Sequence, residues 1–576
     1  MSEITLTIDG IKVRTSPGST ILEAARKAGI KIPTLCWHED LGVQSVCRLC
    51  VVEVNGARPL QPACSYPAAD GMVVRTNTPA VRQARRLNLE LLLARHPDGC
   101  LSCARNLKCE LQQLAQDLGI RDIRFERMER GLPKDESSPS LVRDPNKCIN
   151  CRRCLEACES VQSVATLSVV NRGFESVALP AFGDGLMDAV CVMCGQCSLA
   201  CPTGAITERD DTERVWAALA DPRKHVVVQT APAVRVSLGE ELGLPVGAIA
   251  TGKMVAALRR LGFDRVFDTD FTADLTIMEE GHELLERMKG SGPLPMFTSC
   301  SPGWIKFIEH FYPELLPHVS TCKSPQQMLG ALAKTFYPDT AGIPRENVFV
   351  VSIMPCTAKK FEAQRPEMRS SGYQDIDVVL TTRELGRMLR EAGIDFANLP
   401  EEEFDPPLGM STGAGAIFGA TGGVMEAALR TVYEVVTGDE LEGESLEFHE
   451  VRGLEGVKEA EISLGGSKVR VAVAHGLSNA RKVMERVKAG DAPWQFIEIM
   501  CCPGGCIGGG GQPIGTTMAL RAQRAAALYT ADRDMDLRSS HKNPAVNALY
   551  EQYLERPLSE RSHELLHTHY TPRRGW

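Results

Sequence analysis

Cys191-Val-Met-Cys194-Gly-Gln-Cys197-Ser-Leu-Ala-Cys201-Pro202 is a C-x2-C-x2-C-x3-C-P run, the spacing that wraps a four-iron cluster in thiolate. A second run, Cys148, Cys151, Cys154 and Cys158, stands upstream and is followed by Glu159 instead of proline. In two-cluster ferredoxins the fourth cysteine of each run serves the other cluster. Cys201 is therefore expected with Cys148, Cys151 and Cys154, and Cys158 with Cys191, Cys194 and Cys197. Nearer the N-terminus, Cys36, Cys47, Cys50 and Cys64 give one C-x2-C with two outliers, the pattern of a two-iron ferredoxin, although ten residues separate the first pair where plant-type proteins have C-x4-C. Between these groups, His96 precedes Cys100, Cys103 and Cys109. Three thiols leave one corner of a four-iron cluster open, and an imidazole can fill it while raising the potential. The plain alternative for His96 is a surface histidine.

Fifteen of the 21 cysteines fall into these groups, and Cys300, Cys356, Cys502 and Cys506 make a further one; they cluster in short steps instead of spreading as bridge partners, which points to metal ligation in a reducing compartment. At 576 residues the chain should divide into several domains. The start, Met1-Ser-Glu-Ile-Thr, has no basic segment leading into an apolar one, and no stretch approaches the ~18 apolar residues of a membrane span. A soluble cytoplasmic protein is expected. A net charge of -9 without a basic stripe argues against nucleic acid.

The elements that position these residues follow from periodicity. Strands are expected at 4–8 and 51–54 around a helix near 21–25, and a helix at 81–93. Beyond 211, apolar runs at 225–229, 348–353, 377–380, 471–474 and 496–499 alternate with helical segments, one of them from Thr251 as N-cap to Gly262. Such runs suit parallel strands buried on both faces. In open α/β sheets ligands gather outside the carboxyl ends of the strands. Thr230-Ala-Pro232, Thr298-Ser-Cys300, Met354-Pro-Cys356 and Met500-Cys-Cys502 sit at those ends, so Cys300, Cys356, Cys502 and Cys506 converge as four thiols for one more cubane. The polar tail beyond 520 reads as a peripheral helical wrap.

Thr298-Ser-Cys-Ser-Pro-Gly-Trp304, Met354-Pro-Cys-Thr-Ala-Lys-Lys-Phe-Glu362 and Glu498-Ile-Met-Cys-Cys-Pro-Gly-Gly-Cys-Ile-Gly-Gly-Gly-Gly-Gln-Pro513 resemble the three signature segments of the iron-only (FeFe) hydrogenases. The resemblance extends over the whole chain, because the larger members carry the same N-terminal modules in the same order. It implies an H-cluster: a four-iron cubane bridged through a cysteine sulfur to a di-iron unit with carbon monoxide, cyanide and a bridging dithiolate. By position Cys506 matches the bridging cysteine, and Cys356 and Cys502 match cubane ligands. Lys359 can donate a charge-assisted hydrogen bond to one cyanide, and the backbone at Ala231-Pro232 and Pro325-Gln326 can serve the other. Met354, Met500 and Phe418 supply a polarizable, water-poor wall. Glu362 is expected to fix the loop or pair with Lys359. The family's proton relay maps onto Cys300, Glu280, Ser320, Glu283 and Arg287, of which Glu280, Glu283 and Arg287 share one helix face; the alternative for that face is a solvated salt-bridged surface.

One departure stands out. The usual first segment has two adjacent cysteines, a relay followed by a cubane ligand, and Ser301 occupies the second slot here. Either Cys300 is the ligand, which thiolate softness favours, or Ser301 ligates through oxygen and Cys300 stays the relay, which the register favours. Cys501 abuts Cys502, and the spacing to Cys506 favours Cys502. Cys322 reads as a structural thiol. The glycine run 504–511 lacks the residues of a phosphate loop, and close backbone approach to a buried cofactor is its simpler cause.

The expected organisation is multidomain, α+β and α/β. Residues 1–78 form a two-iron ferredoxin β-grasp, 79–139 a His/Cys3 cluster module and 140–210 a two-cluster ferredoxin. Residues 211–520 form the catalytic domain and 521–576 a helical, small-subunit-like segment. The expected activity is reversible interconversion of dihydrogen with protons and electrons, fed through one 2Fe-2S and three 4Fe-4S clusters. The competing readings are an electron-transfer scaffold without catalysis, and a hydrogen-sensing or cluster-assembly relative. With no dinucleotide fingerprint in the chain, nicotinamide chemistry would require a flavin-bearing NAD(P)-linked subunit. A small iron-sulfur subunit, ferredoxin and maturation proteins for the di-iron unit complete the expected partners, and neither nucleic acid nor membrane is among them.

Overall fold

The computed structural model describes residues 3–464 and 466–573, so the outermost ends of the first and last expected units, 1–2 and 574–576, lie outside the described residues. Strands β1 (Ile4–Ile8), β2 (Ile11–Thr15), β3 (Val51–Val54), β4 (Gln61–Pro62) and β5 (Val73–Arg75) form one mixed sheet in the order β2-β1-β5-β3-β4. Helix Ile21–Lys27 starts where Thr20 and Glu23 exchange side-chain and backbone hydrogen bonds, which satisfies two otherwise free amides. Its Ile21 and Leu22 pack on Leu6, Ile8, Val52 and Val74 of the sheet. Helix Pro79–Ala94 leads into the second cysteine group and helix Glu110–Asp117 leaves it. Leu89 and Leu111 of these helices share a core with Leu35 and Leu49, so the first two units are packed together.

β6 (Leu141–Arg143) pairs antiparallel with β9 (Ile206–Glu208), and β7 (Leu167–Val170) with β8 (Val177–Pro180). The short helices Arg153–Glu156 and Gln196–Ala200, each carrying part of a cysteine run, pack on one another within this frame.

The remaining strands are β10 (His225–Thr230), β11 (Arg265–Asp268), β12 (Met296–Phe297), β13 (Val348–Met354), β14 (Val378–Thr381), β15 (Val457–Leu464), β16 (Ser467–His475) and β17 (Phe496–Met500). They make two sheets of four instead of one. The first, β11-β10-β13-β14, is parallel throughout. In the second, β12-β17-β16-β15, the outer strand β15 runs antiparallel. It is an edge strand, and exposed Glu459 and Glu461 line its outer face, which discourages pairing with other chains. β10 and β17 are buried on both faces, which is why their sequences are apolar without alternation. Thr251 is the first residue of its helix and Ala250 its N-cap, so no side chain caps that end; Gly262 closes the other at φ 102°.

The C-terminal segment is less peripheral than its polarity suggests. Helices Pro544–Leu549 and Glu560–Leu566, with the turn Tyr550–Leu554 between them, place Val546, Leu549, Leu554, Leu565 and Leu566 in the main core of the first of the two four-stranded sheets, while helix Met518–Arg533 buries Leu528 in a smaller cluster. Its charges are spent on buried pairs. Arg524 meets Glu240 at 2.7 Å, and Asp532 meets the fully buried Arg430 at 2.9 Å, which also holds Glu426 at 2.6 Å. No helix of the described residues is long and apolar enough to cross a membrane.

Removing one partner from a buried ion pair leaves an uncompensated charge, at a cost of about 3–5 kcal/mol. Asp532→Ala should therefore lower the unfolding free energy of this region by about that amount, read as a lower urea midpoint with an unchanged slope. A midpoint within error of the wild type would show that Glu426 alone satisfies Arg430.

Candidate functional site

The loops that follow β10, β12, β13 and β17 meet at the carboxyl ends of both four-stranded sheets and enclose a cavity of about 70 Å³. Sulfur lines it from three loops: Cys300, Cys356, and Cys502 with Cys506. Ala231, Pro232, Pro325 and Gln326 contribute to its wall, as do the apolar Met354, Phe418 and Met500. Thr269, Ser301, Cys501, Gly505 and Gly509 also border it; of these the sequence points to Ser301 and to the glycines, passes over Cys501 in favour of Cys502, and gives no sign of Thr269. A larger cleft beside Phe336, Glu402 and Asp534 shares no lining residue with this cavity and contains no cysteine or histidine.

Lys359, on helix Ala358–Ala363, is held in the wall by two contacts. Its Nζ donates to Glu362 Oε2 at 2.9 Å and to the Cys300 carbonyl at 3.2 Å. The same carboxylate oxygen accepts from Ser324 Oγ at 2.9 Å and from Gln326 Nε2 at 3.0 Å. Glu362 thus pairs with the lysine and fixes the 324–326 turn at once. The glycine run is explained by protein backbone more than by a cofactor. A Cβ at Gly509 would stand 2.2 Å from the Pro355 carbonyl oxygen, and one at Gly510 would stand 2.3 Å from that of Cys194. Gly505, at φ 92°, passes Thr421 and Ala420 as closely.

Helix Thr269–Glu286 carries Glu280 and Glu283, with Arg287 at its end. All three are buried, so the solvated-face alternative does not hold. Cys300 faces Glu280, Cys506 and Lys359. The Glu280 carboxyl lies close to the Ser320 hydroxyl and the Ser299 amide, but neither of its oxygens has a partner in hydrogen-bond geometry. Burial, and then the neighbouring Glu283, push its pKa up to about 8. Ser320 Oγ donates to Glu283 Oε2 at 2.8 Å, and Arg287 holds the other oxygen of Glu283 at 2.6 Å. Arg287 also donates to the carbonyls of Pro317, His318 and Val319 near the surface. Hydrogen bonds thus link Ser320, Glu283 and Arg287, with Glu280 beside Ser320 and Cys300 bordering the cavity near Glu280. Beside it runs a branch that no sequence spacing announces. His567 joins Glu279 at 3.1 Å and Thr321 at 2.8 Å, and the Cys322 sulfur lies 3.9 Å from Glu283. These groups come from elements up to 288 residues apart.

The other cysteine groups are also assembled. Cys36 contacts Cys47 and Cys64, and Cys64 contacts Cys50, through their side chains. Cys148, Cys151, Cys154 and Cys201 line one small cavity. Cys158 neighbours Cys191 and Cys194, and Cys197 neighbours all three. Cys109 stands near Cys100 and Cys103, and the missing Cβ of Gly204 leaves room for the Cys103 sulfur. His96 is largely buried, its Nδ1 has no hydrogen-bond partner, and burial lowers its pKa to about 4, so it is neutral with a ring nitrogen free to bind metal. The donor sets, thiols in every group and one imidazole, fit iron-sulfur clusters. The cavity fits a larger iron centre, with thiols from three loops and one lysine inside an apolar wall.

Comparison with known proteins gives five family matches in chain order. They are "2Fe-2S iron-sulfur cluster binding domain" over 1–79, "NADH-ubiquinone oxidoreductase-G iron-sulfur binding region" over 85–124, "4Fe-4S dicluster domain" over 147–205, "Iron only hydrogenase large subunit, C-terminal domain" over 224–510 and "Iron hydrogenase small subunit" over 518–573. The chain is 53% identical to the NADP-reducing hydrogenase subunit HndD of Solidesulfovibrio fructosivorans, over the full length of both. It is 42% identical to iron hydrogenase 1 of Clostridium pasteurianum, covering 98% of this chain and 99% of that one. Among solved structures, a variant of the [FeFe]-hydrogenase HydA1 from Chlamydomonas reinhardtii aligns with 63% of this chain and 99% of its own, at a TM-score of 0.57 and 47% identity.

Glu280 keeps its proton up to about pH 8, well above the ordinary value of 4.5. Between these values the folded chain holds a proton that the unfolded chain has released, so this group lowers stability as pH rises through the window. Glu280→Gln removes the effect. Its thermal midpoint should gain on that of the wild type progressively from about pH 5 to about pH 8. A gap that does not change with pH would contradict the raised pKa.

Proposed function

The chain belongs to the iron-only hydrogenase family and is an oxidoreductase that interconverts dihydrogen with protons and electrons. On that premise we propose that it works as the catalytic subunit of an assembly that exchanges those electrons with NAD(P), ferredoxin or both. The observation that carries the site reading is the single cavity into which Cys300, Cys356, Lys359, Cys502 and Cys506 all face. In this reading Cys356, Cys502 and Cys506 hold the cubane, with Cys506 as the bridge. When bound, the six-iron centre supplies the redox chemistry that splits and forms dihydrogen.

The chain's own residues do the rest. Glu362 holds Lys359 so that its ammonium is presented to the cavity, where it can donate to an anionic cyanide. Ala231-Pro232 and Pro325-Gln326 bound the space, and Met354, Phe418 and Met500 keep water out. Cys300, Glu280, Ser320, Glu283 and Arg287 move protons between this space and the surface. Glu280 suits the task because its acid form persists near neutral pH.

The N-terminal groups serve as the electron wire. We assign one 2Fe-2S cluster to Cys36, Cys47, Cys50 and Cys64, and a 4Fe-4S cluster to His96, Cys100, Cys103 and Cys109. Two further 4Fe-4S clusters fall to the crossed sets, Cys148, Cys151, Cys154 with Cys201, and Cys191, Cys194, Cys197 with Cys158. The units are 1–78, a β-grasp; 79–139; 140–210; 211–520; and 521–576, a small-subunit-like wrap. Likeness to HndD, named as a subunit of an NADP-reducing hydrogenase, supports partners for this chain. Those partners are a flavin-bearing subunit and a small iron-sulfur subunit in the cytoplasm, with maturation proteins supplying the di-iron unit.

Two measurements test this. Cys300→Ala should lower turnover by about 10²–10⁴-fold, the usual worth of a positioned proton donor, while iron content stays unchanged; unchanged turnover would remove Cys300 from the relay. The isolated, matured chain should evolve hydrogen from a reduced artificial dye and fail to reduce NAD or NADP with hydrogen until a flavin-bearing partner is added. Nicotinamide reduction by the chain alone would refute the division of labour.

A further inference from the structure

We propose that Cys501 is the fourth protein ligand of the cubane, taking the place of the cysteine that position 301 lacks. The proposal rests on the reading of the cavity as the seat of the six-iron centre. It goes beyond the two candidates the sequence offered, Cys300 and Ser301.

The argument begins with a hydrogen bond. Ser301 Oγ accepts from the backbone N–H of Cys501 at 3.1 Å. The main chain at 501 therefore passes within one hydrogen bond of the side-chain position where a cysteine at 301 would present its sulfur. A thiol branching from the Cα next to that nitrogen can reach the same iron. Cys501 borders the cavity together with Cys356, Cys502 and Cys506, and its sulfur contacts that of Cys502. The space it fills exists because residue 303 is glycine: a Cβ there would stand 2.6 Å from the Cys501 sulfur.

The two alternatives fit less well. Cys300 lies near Glu280 as well as Cys506 and Lys359, whereas the Cys501 sulfur is in side-chain contact with that of Cys502. Ser301 has its oxygen engaged by the Cys501 amide, and an oxygen donor is the harder, poorer ligand for iron-sulfur iron. Serine at 301 and cysteine at 501 together keep four thiolates around the cubane and leave Cys300 free to carry protons. Ligation is an exchange at iron: the Cys501 S–H bond breaks as the sulfur–iron bond forms, a water or small thiolate carried by the incoming iron leaves, and the proton passes to that leaving ligand or to solvent, with no change of oxidation state. The same sulfur also touches Cys194. A cubane ligand and a ligand of the neighbouring four-iron cluster would then be in direct contact, which gives electrons a direct route into the site.

The test uses the full chain, reconstituted anaerobically with iron and sulfide and read by iron content and electron paramagnetic resonance. Cys501→Ala should lose about four iron atoms and the cubane signal. Ser301→Ala and Cys300→Ala should keep both. In the Cys501→Ala background, Ser301→Cys should restore them. Wild-type iron and signal in Cys501→Ala would overturn the proposal, as would loss of the cubane in Ser301→Ala or Cys300→Ala. If Cys501→Ala is poorly folded the double variant decides, and a double variant without those iron atoms counts against Cys501. A wild-type chain that binds only the N-terminal clusters would instead bring down the reading of the cavity, and this inference with it.

Discussion

The whole arrangement depends on how closely main chain can approach main chain around the cavity. Sulfur atoms from separate loops can serve one metal centre only if those loops are held a few ångströms apart. The loop 502–511 meets this demand by giving up side chains. Gly505, Gly509 and Gly510 each lie where a Cβ would strike the backbone of a neighbouring segment. Fixed in this way, the loop is set by contacts among protein atoms, so the geometry offered to iron does not depend on iron to create it. The two sheets contribute by ending their strands at the same place, a demand that the strand-end rule for α/β folds anticipates for one sheet and that is met here by two.

Helix Thr269–Glu286 follows a different logic. It buries Asp270, Asp274, Glu279, Glu280 and Glu283, an unusual load of acid for a core helix. Most are compensated from distant parts of the chain: Asp270 by Arg235, Asp274 by Thr412 and Asn543, Glu279 by Tyr550 and His567, and Glu283 by Arg287 and Ser320. Glu280 differs in having neither an ion pair nor a partner in hydrogen-bond geometry among the described residues; the oxygens of Asp270 also lack such hydrogen-bond partners, but Asp270 pairs with Arg235. Lacking both is costly for a buried carboxylate. The C-terminal segment supplies several of the compensating groups, Asn543, Tyr550 and His567, so it stabilises the helix that carries Glu280 and Glu283.

What could be read from the sequence was what local spacing encodes. Four thiols within a short run belong to clusters whatever surrounds them, and the crossing of Cys158 and Cys201 follows from how two such runs fold together; the structure groups these residues accordingly. The strand ends before Cys356 and Cys501 were legible because the apolar runs 348–353 and 496–499 stop there; the two-residue strand Met296–Phe297 before Cys300 left no such run. The division into two sheets was not, since a buried strand looks the same in either. Nor was the role of the tail, because Arg524 and Asp532 look solvent-facing until Glu240 and Arg430 are seen beside them. The contact of Ser301 with Cys501 joins positions 200 apart, and adjacency of that kind leaves no mark in a linear pattern. Thr251 shows a smaller limit: a good capping residue stood one position inside the helix it seemed to open.

The seam between the two-cluster ferredoxin unit and the catalytic loops is made of glycine on both sides. A Cβ at Gly195 would strike Thr357 Oγ1 at 2.4 Å, and one at Gly510 would come within 2.7 Å of the Gly195 Cα. Gln196 donates across the seam to the Gly508 carbonyl at 2.8 Å, and Thr357 to that of Met193 at 2.7 Å. Neither face can acquire a side chain unless the other gives way. In a lineage that keeps both units, these positions are bound to a common fate; in one that sheds the ferredoxin unit, position 510 is released from that neighbour and becomes free to drift. The joint is thus a place where the history of domain loss should be written in single residues.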